Sequence, residues 1–135
     1  MNIRRRRAKG QGLIEAVAAA IVLIPLSLAL LDFMVLIIAN SMNDTTVKNA
    51  ARAAASQDTA VLALDAAKKS IASFHPSAIV NADSLILSGF DYDASKGSVT
   101  AQTTMTVHLP MPFPGLSDMT FHAQDVEPII NFKPN

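Results

Sequence analysis

Residues 10–39 read GQGLIEAVAAAIVLIPLSLALLDFMVLIIA, and the fold of the chain turns on them. Five basic residues, Arg4, Arg5, Arg6, Arg7 and Lys9, crowd the segment just before, and from Ala16 onward no charge appears until Asp32. As a helix rising ~1.5 Å per residue, the apolar run Ala16–Ala39 is about 36 Å long, enough to cross a hydrocarbon core of roughly 30 Å. Lys and Arg beside a span stay on the cytoplasmic side, so the N-terminus is expected inside and everything after the run outside. A cleaved secretory signal peptide has an apolar core of only about 7–15 residues followed by small residues at the cut. This run is longer and passes straight into polar helix.

Glu15 is the odd residue, a carboxylate at the mouth of the span. A bare ionised carboxylate in hydrocarbon is costly, so such a residue has a partner or a task, unless it is an interfacial carboxylate favoured by the helix dipole. A basic leader, Gly10, four residues, Glu15 and an apolar helix together resemble the leader of type IV prepilins and pseudopilins. The resemblance implies cleavage between Gly10 and Gln11 by a membrane-embedded aspartyl prepilin peptidase, with methylation of the new N-terminus. Gln11 would then be the first residue of the processed chain and Glu15 the fifth. The new amine would be a cation at the start of an apolar helix, able to pair with the Glu15 carboxylate of a neighbouring subunit as helices stagger into a bundle.

The 135 residues leave room for one small domain beyond this helix, and with no cysteine that domain has neither disulfide nor thiol chemistry. The formal charge of zero conceals an asymmetry, because five of the eleven basic residues lie in the leader. From Gln11 onward six basic residues face eleven acidic ones, a balance of minus five. A mildly acidic exterior offers no footprint for nucleic acid, and the Arg run beside a span is explained by topology.

Within the span, Pro25 lacks a backbone donor and is expected to kink the helix. Asp32 falls near the outer interface, where it either reaches headgroup water or makes an intramembrane contact with another subunit. Beyond Asn40 the helix is expected to continue to Ser56 as a stalk, with Val47, Ala50, Ala51 and Ala54 recurring at helical spacing. That small-residue stripe permits close helix packing, although a solvated alanine-rich helix would look the same. Asp58 or Thr59 can cap a second helix running to about Phe74, with Val61, Leu64, Ile71 and Phe74 on its core face and Asp65, Lys68 and Lys69 away from it. His75-Pro76 ends it.

The period then changes to two. Leu85, Leu87 and Phe90–Tyr92 form a strand, and Asp93–Gly97 its turn. Val99, Ala101, Thr103, Met105, Val107 and Leu109 alternate with polar residues, which predicts one buried and one wet face. Pro110, Pro112, Pro114 and Gly115 predict an extended loop, followed by a strand from about Met119 to Val126 with Met119, Phe121 and Ala123 inward. Pro128–Asn135 reads as an extended tail. The expected architecture is α+β: a leader over 1–10, a transmembrane and stalk helix over 11–56, and a small outer domain over 57–135 with a short helix and a small antiparallel sheet.

This layout, with Pro25 in the span, Asp32-Phe33 late in it, Asn49-Ala-Ala-Arg52 on the stalk and a β-rich end with a proline-rich loop, resembles TadE-like proteins. These are minor pseudopilins of the tight-adherence (Tad) pilus. The motifs are specific through about Ala55; beyond that the likeness is one of layout. Major pilins of the system typically carry an aromatic after the glutamate, where this chain has Ala16, and family members often have a glycine where Ala53 stands. The resemblance implies a minor subunit that helps initiate or assemble a pilus in the bacterial inner membrane. Its partners would be the membrane, the prepilin peptidase, other pilins and the assembly platform. A pseudopilin of a related secretion system is the alternative, as is an uncleaved signal-anchored protein with an outer binding domain.

No catalytic constellation, cofactor or small-molecule substrate is expected. His75, His108 and His122 are the only histidines, and although His108 and His122 could face each other across adjacent strands, a metal site has little support without Cys or an HExxH-like spacing. Asp91 and Asp93 lack the regular ligand spacing of a calcium loop, and Gly10 and Gly12 have neither the preceding strand nor the following Lys of a phosphate loop.

Overall fold

The computed structural model describes residues 3–75, 84–113 and 116–130, with the backbone alone for 3–10, 84, 110–113 and 116–117. Helix α1 runs without interruption over Ile3–Ala55, 53 residues. Pro25 lies inside it without ending it, and two residues before it the Leu23 carbonyl accepts a bond from the Ser27 hydroxyl (2.8 Å). Helix α2 spans Ala60–Ala72; Thr59 caps it in extended conformation, its side chain accepting from the Leu62 N–H. Three antiparallel strands follow, β1 (Ser84–Asp93), β2 (Ser98–Phe113) and β3 (Leu116–Pro128), in the order β1-β2-β3. The expected α+β architecture is present.

The core lies between one face of the sheet and the C-terminal half of α1. Val99, Ala101, Thr103, Met105 and Val107 are completely buried, as the alternation of β2 predicts. On β1 the inward residues change parity, Leu85 and Leu87 before a bulge and Phe90 and Tyr92 after it. The register shift between Leu87 and Gly89 puts both pairs on the same face. Gly97, buried and at φ 65°, closes the β1–β2 turn in a conformation that suits glycine. Asp93 holds the turn: its Oδ1 accepts from the N–H groups of Ser95 (2.9 Å) and Lys96 (3.0 Å), and its Oδ2 pairs with Lys96 Nζ (3.0 Å).

Strand β2 runs antiparallel to α1. Val99 packs with Ala50, Ala54 and Ala55, Ala101 with Val47 and Ala51, and Met105 and Val107 with Ala39 and Val35. The alanine stripe of α1 is therefore covered by its own domain, and α1 from Asp32 upward is the spine of that domain. Helix α2 sits on the same stripe through Ala63 and Ala67.

Four expectations are corrected. Val61 is 79% exposed; the inward face of α2 is Ala63, Ala67 and Ile71, because alanine against alanine lets the two helices approach more closely than large side chains would. Pro110 and Pro112 belong to β2, and among the described residues neither is paired with β1 or β3, so the ladder loses nothing there to their missing N–H groups. Strand β3 reaches Pro128, and the next residues are tied down: Ile129 is buried, its N–H bonded to the Gly97 carbonyl (2.8 Å), and the Ile130 N–H bonds to the Ala55 carbonyl (3.1 Å). Last, the two strand histidines do not face each other. His122 is opposite Thr104 and His108 opposite Asp118, four residues apart on β2 or about 13 Å. Pro76, Pro114, Gly115 and 131–135 lie outside the described residues.

Candidate functional site

The apolar lower half of α1 is the dominant surface feature. Ile21, Val22, Leu23 and Ile24 point in four directions at ~100° per residue, and each is more than half exposed. Leu13, Ile14, Val17, Leu26, Leu30 and Leu31 are likewise more than half exposed, so beyond Glu15 this half of the helix is apolar all round rather than along one stripe. Such a helix belongs in a bilayer or a bundle. It is long and apolar enough to cross a membrane. Packing against the sheet begins at Asp32 and Val35, so the stretch free for lipid is Leu13–Leu31, about 28 Å at ~1.5 Å per residue. Val35 and Ala39, in the same apolar run, are instead buried under β2.

The helix carries the sequence-predicted site residues in three places. Gly10 and Gln11 are consecutive residues inside α1, with Gln11 exposed. Glu15, one turn further, is also exposed, and it has no ion pair among the described residues. Asp32 is about 26 Å further up the helix, so it and Glu15 do not form one site. Asp32 is only 7% exposed, on the face of α1 that carries Val35 and Ala39, and its Oδ1 has no hydrogen-bond partner among the described residues.

Higher on the same face is a polar pair the sequence did not single out as a pair. The Thr103 hydroxyl donates to Asn43 Oδ1 (2.8 Å), both residues being fully buried, and Asn43 Nδ2 reaches the Phe121 carbonyl (3.4 Å). This clip ties α1 to the two longer strands between the two apolar clusters. Arg52, the stalk arginine, pairs through Nε with Glu127 Oε1 (2.9 Å). It is largely exposed, so the pair contributes about 0–1 kcal/mol and serves as a marker of register.

The outer face of the sheet is a ladder of polar cross-strand pairs: Gln102–Gln124 (3.2 Å), Thr104–His122 (3.0 Å), Thr106–Thr120 (3.4 Å) and His108–Asp118 (2.5 Å). No group of three or more His, Asp or Glu able to hold a metal occurs among the described residues. A groove of about 370 Å³ between α1 and the end of α2 is lined by hydroxyl side chains with Phe74 and His75. Its described lining holds no carboxylate. No protein-family model, curated protein or solved structure matches the chain.

Proposed function

We propose that the chain is a minor pilin-like subunit, a pseudopilin, that assists initiation or assembly of a Tad-type pilus from the bacterial cytoplasmic membrane. The observation that carries this reading is a single helix bearing, in order, an Arg-rich leader, Gly10-Gln11, an exposed Glu15, an all-round apolar stretch and a small outer domain clasped to its upper half. A prepilin peptidase cuts between Gly10 and Gln11. The bond lies in a helical turn, so cutting requires local unwinding, and Gly10 and Gly12, each about 1 kcal/mol poorer than Ala in a helix, lower that cost. The freed amine of one subunit then pairs with the Glu15 carboxylate of the next, while the apolar surfaces from Leu13 to Leu31 exchange lipid for one another.

The test is the intact mass of the protein from native membranes, with and without the prepilin peptidase. A mass starting at Gln11, seen only with the peptidase, supports the reading. Retention of the Arg-rich leader in both strains refutes it and leaves an uncleaved signal-anchored membrane protein.

A further inference from the structure

The groove between α1 and the end of α2, about 370 Å³, has the volume of a small-molecule site. Its hydroxyls have already given their protons to the backbone. Thr45 donates to the Ser41 carbonyl and Thr46 to the Met42 carbonyl (each 2.8 Å), and Ser73 donates to the Ser70 carbonyl (2.6 Å). Each of these oxygens keeps lone pairs, so what it offers a ligand is an acceptor. His75 follows the same pattern. Its Nδ1 lies 2.7 Å from the Ser73 carbonyl and carries the proton, which in the neutral ring leaves Nε2 as an acceptor. Thr46, 7% exposed, is the most deeply buried of these groups.

The groove also has an apolar wall. Met42 and Phe74 line it and are held in place by their packing against the cluster of Val35, Ala39, Met105 and Val107. Among the described residues no carboxylate, Lys or Arg lines the groove, so nothing there would neutralise a charged ligand. The molecule that fits is neutral, rich in donors and apolar on one face. A sugar ring has this make-up, with hydroxyls around its rim and C–H groups on its faces.

We infer that the groove binds a neutral sugar, whose hydroxyls donate to Thr45, Thr46 and Ser73 while a C–H face rests on Phe74. The ring is either a free sugar or one unit of a glycan chain. The site belongs to the outer domain, and it stands or falls independently of cleavage at Gly10-Gln11.

The full chain is held in micelles of a sugar-free detergent, and binding is read by saturation-transfer NMR with N-acetylglucosamine, its trimer and glucosamine as probes. Saturation is expected to reach the ring C–H protons of N-acetylglucosamine, and glucosamine, the same ring with an ammonium group, is expected to bind more weakly. Thr45→Phe, which fills the groove from an exposed position on α1, should weaken binding at least about tenfold with the melting temperature unchanged. Thr45→Val keeps the shape, removes one acceptor and should weaken it roughly threefold. Tighter binding of the trimer than of the monomer supports the site with a glycan chain as the source, and equal binding supports it with the free sugar. Transfer to neither, unchanged binding in both Thr45 variants, or tighter binding of glucosamine overturns the inference.

Discussion

Replacing Thr103 by Val preserves shape and removes one hydroxyl from a site with no access to water. Asn43 Oδ1 then loses its 2.8 Å donor while fully buried, a penalty of about 1–3 kcal/mol. Asn43→Leu does the converse, leaving the Thr103 hydroxyl without an acceptor and the Phe121 carbonyl without its longer bond, at a similar cost. Replacing both partners removes the mismatch, so the double variant is expected to lie closer to wild type than the sum of the singles, with a coupling of at least about 1 kcal/mol. Urea unfolding of the full chain in micelles measures this, followed by fluorescence of Tyr92, the sole tyrosine, whose hydroxyl bonds to the Gln57 carbonyl (3.2 Å). With a slope of about 1–3 kcal/mol per molar urea, a loss of 1.5 kcal/mol moves the midpoint by roughly 0.5–1.5 M. Strict additivity of the two single effects would refute the buried clip.

Ala54→Leu forces three extra carbons between α1, α2 and Val99, and is expected to cost about 1–3 kcal/mol, each kcal/mol lowering the melting temperature by roughly 4–8 °C. The Asp93 carboxyl is held well below the usual carboxylate range by its bonds to Ser95 and Lys96. Folding therefore favours its charged form; the stabilisation is complete above about pH 5 and fades as pH falls through about 4 and below, so urea midpoints of wild type and Asp93→Asn should converge in acid. Gly10→Ala should abolish the mass shift caused by the prepilin peptidase. Glu15→Ala should keep that shift but reduce pilus yield seen by electron microscopy; normal pili would count against charge pairing at Glu15.

Where local chemistry and tertiary packing agree, the sequence reads correctly. The alternation from Val99 to Leu109, the Thr59 cap and the Asp93–Gly97 turn depend on residues within a few positions of each other, and each lies where the pattern puts it. The misreadings share a cause, a partner distant in the chain. Val61 looks like a core residue until the alanines of α1 are seen to demand a closer approach through Ala63 and Ala67. Pro112 looks like a loop residue, yet it lies in β2 at a position with no ladder partner among the described residues. Val35 and Ala39 are indistinguishable by composition from the exposed apolar residues before them; only the path of β2 buries them. For the candidate site, Gly10, Gln11 and Glu15 are legible from spacing alone, whereas the burial of Asp32 and its isolation from Glu15 required the fold.

The bond from the Ile130 N–H to the Ala55 carbonyl fastens the end of the sheet to the top of α1. Counting from Asp32, that point stands 23 residues, or about 35 Å, along the helix. The main chain therefore leaves Ile130 at the end of the domain farthest from the apolar lower half of α1. A fluorophore or epitope attached there would report on the domain without touching that apolar surface.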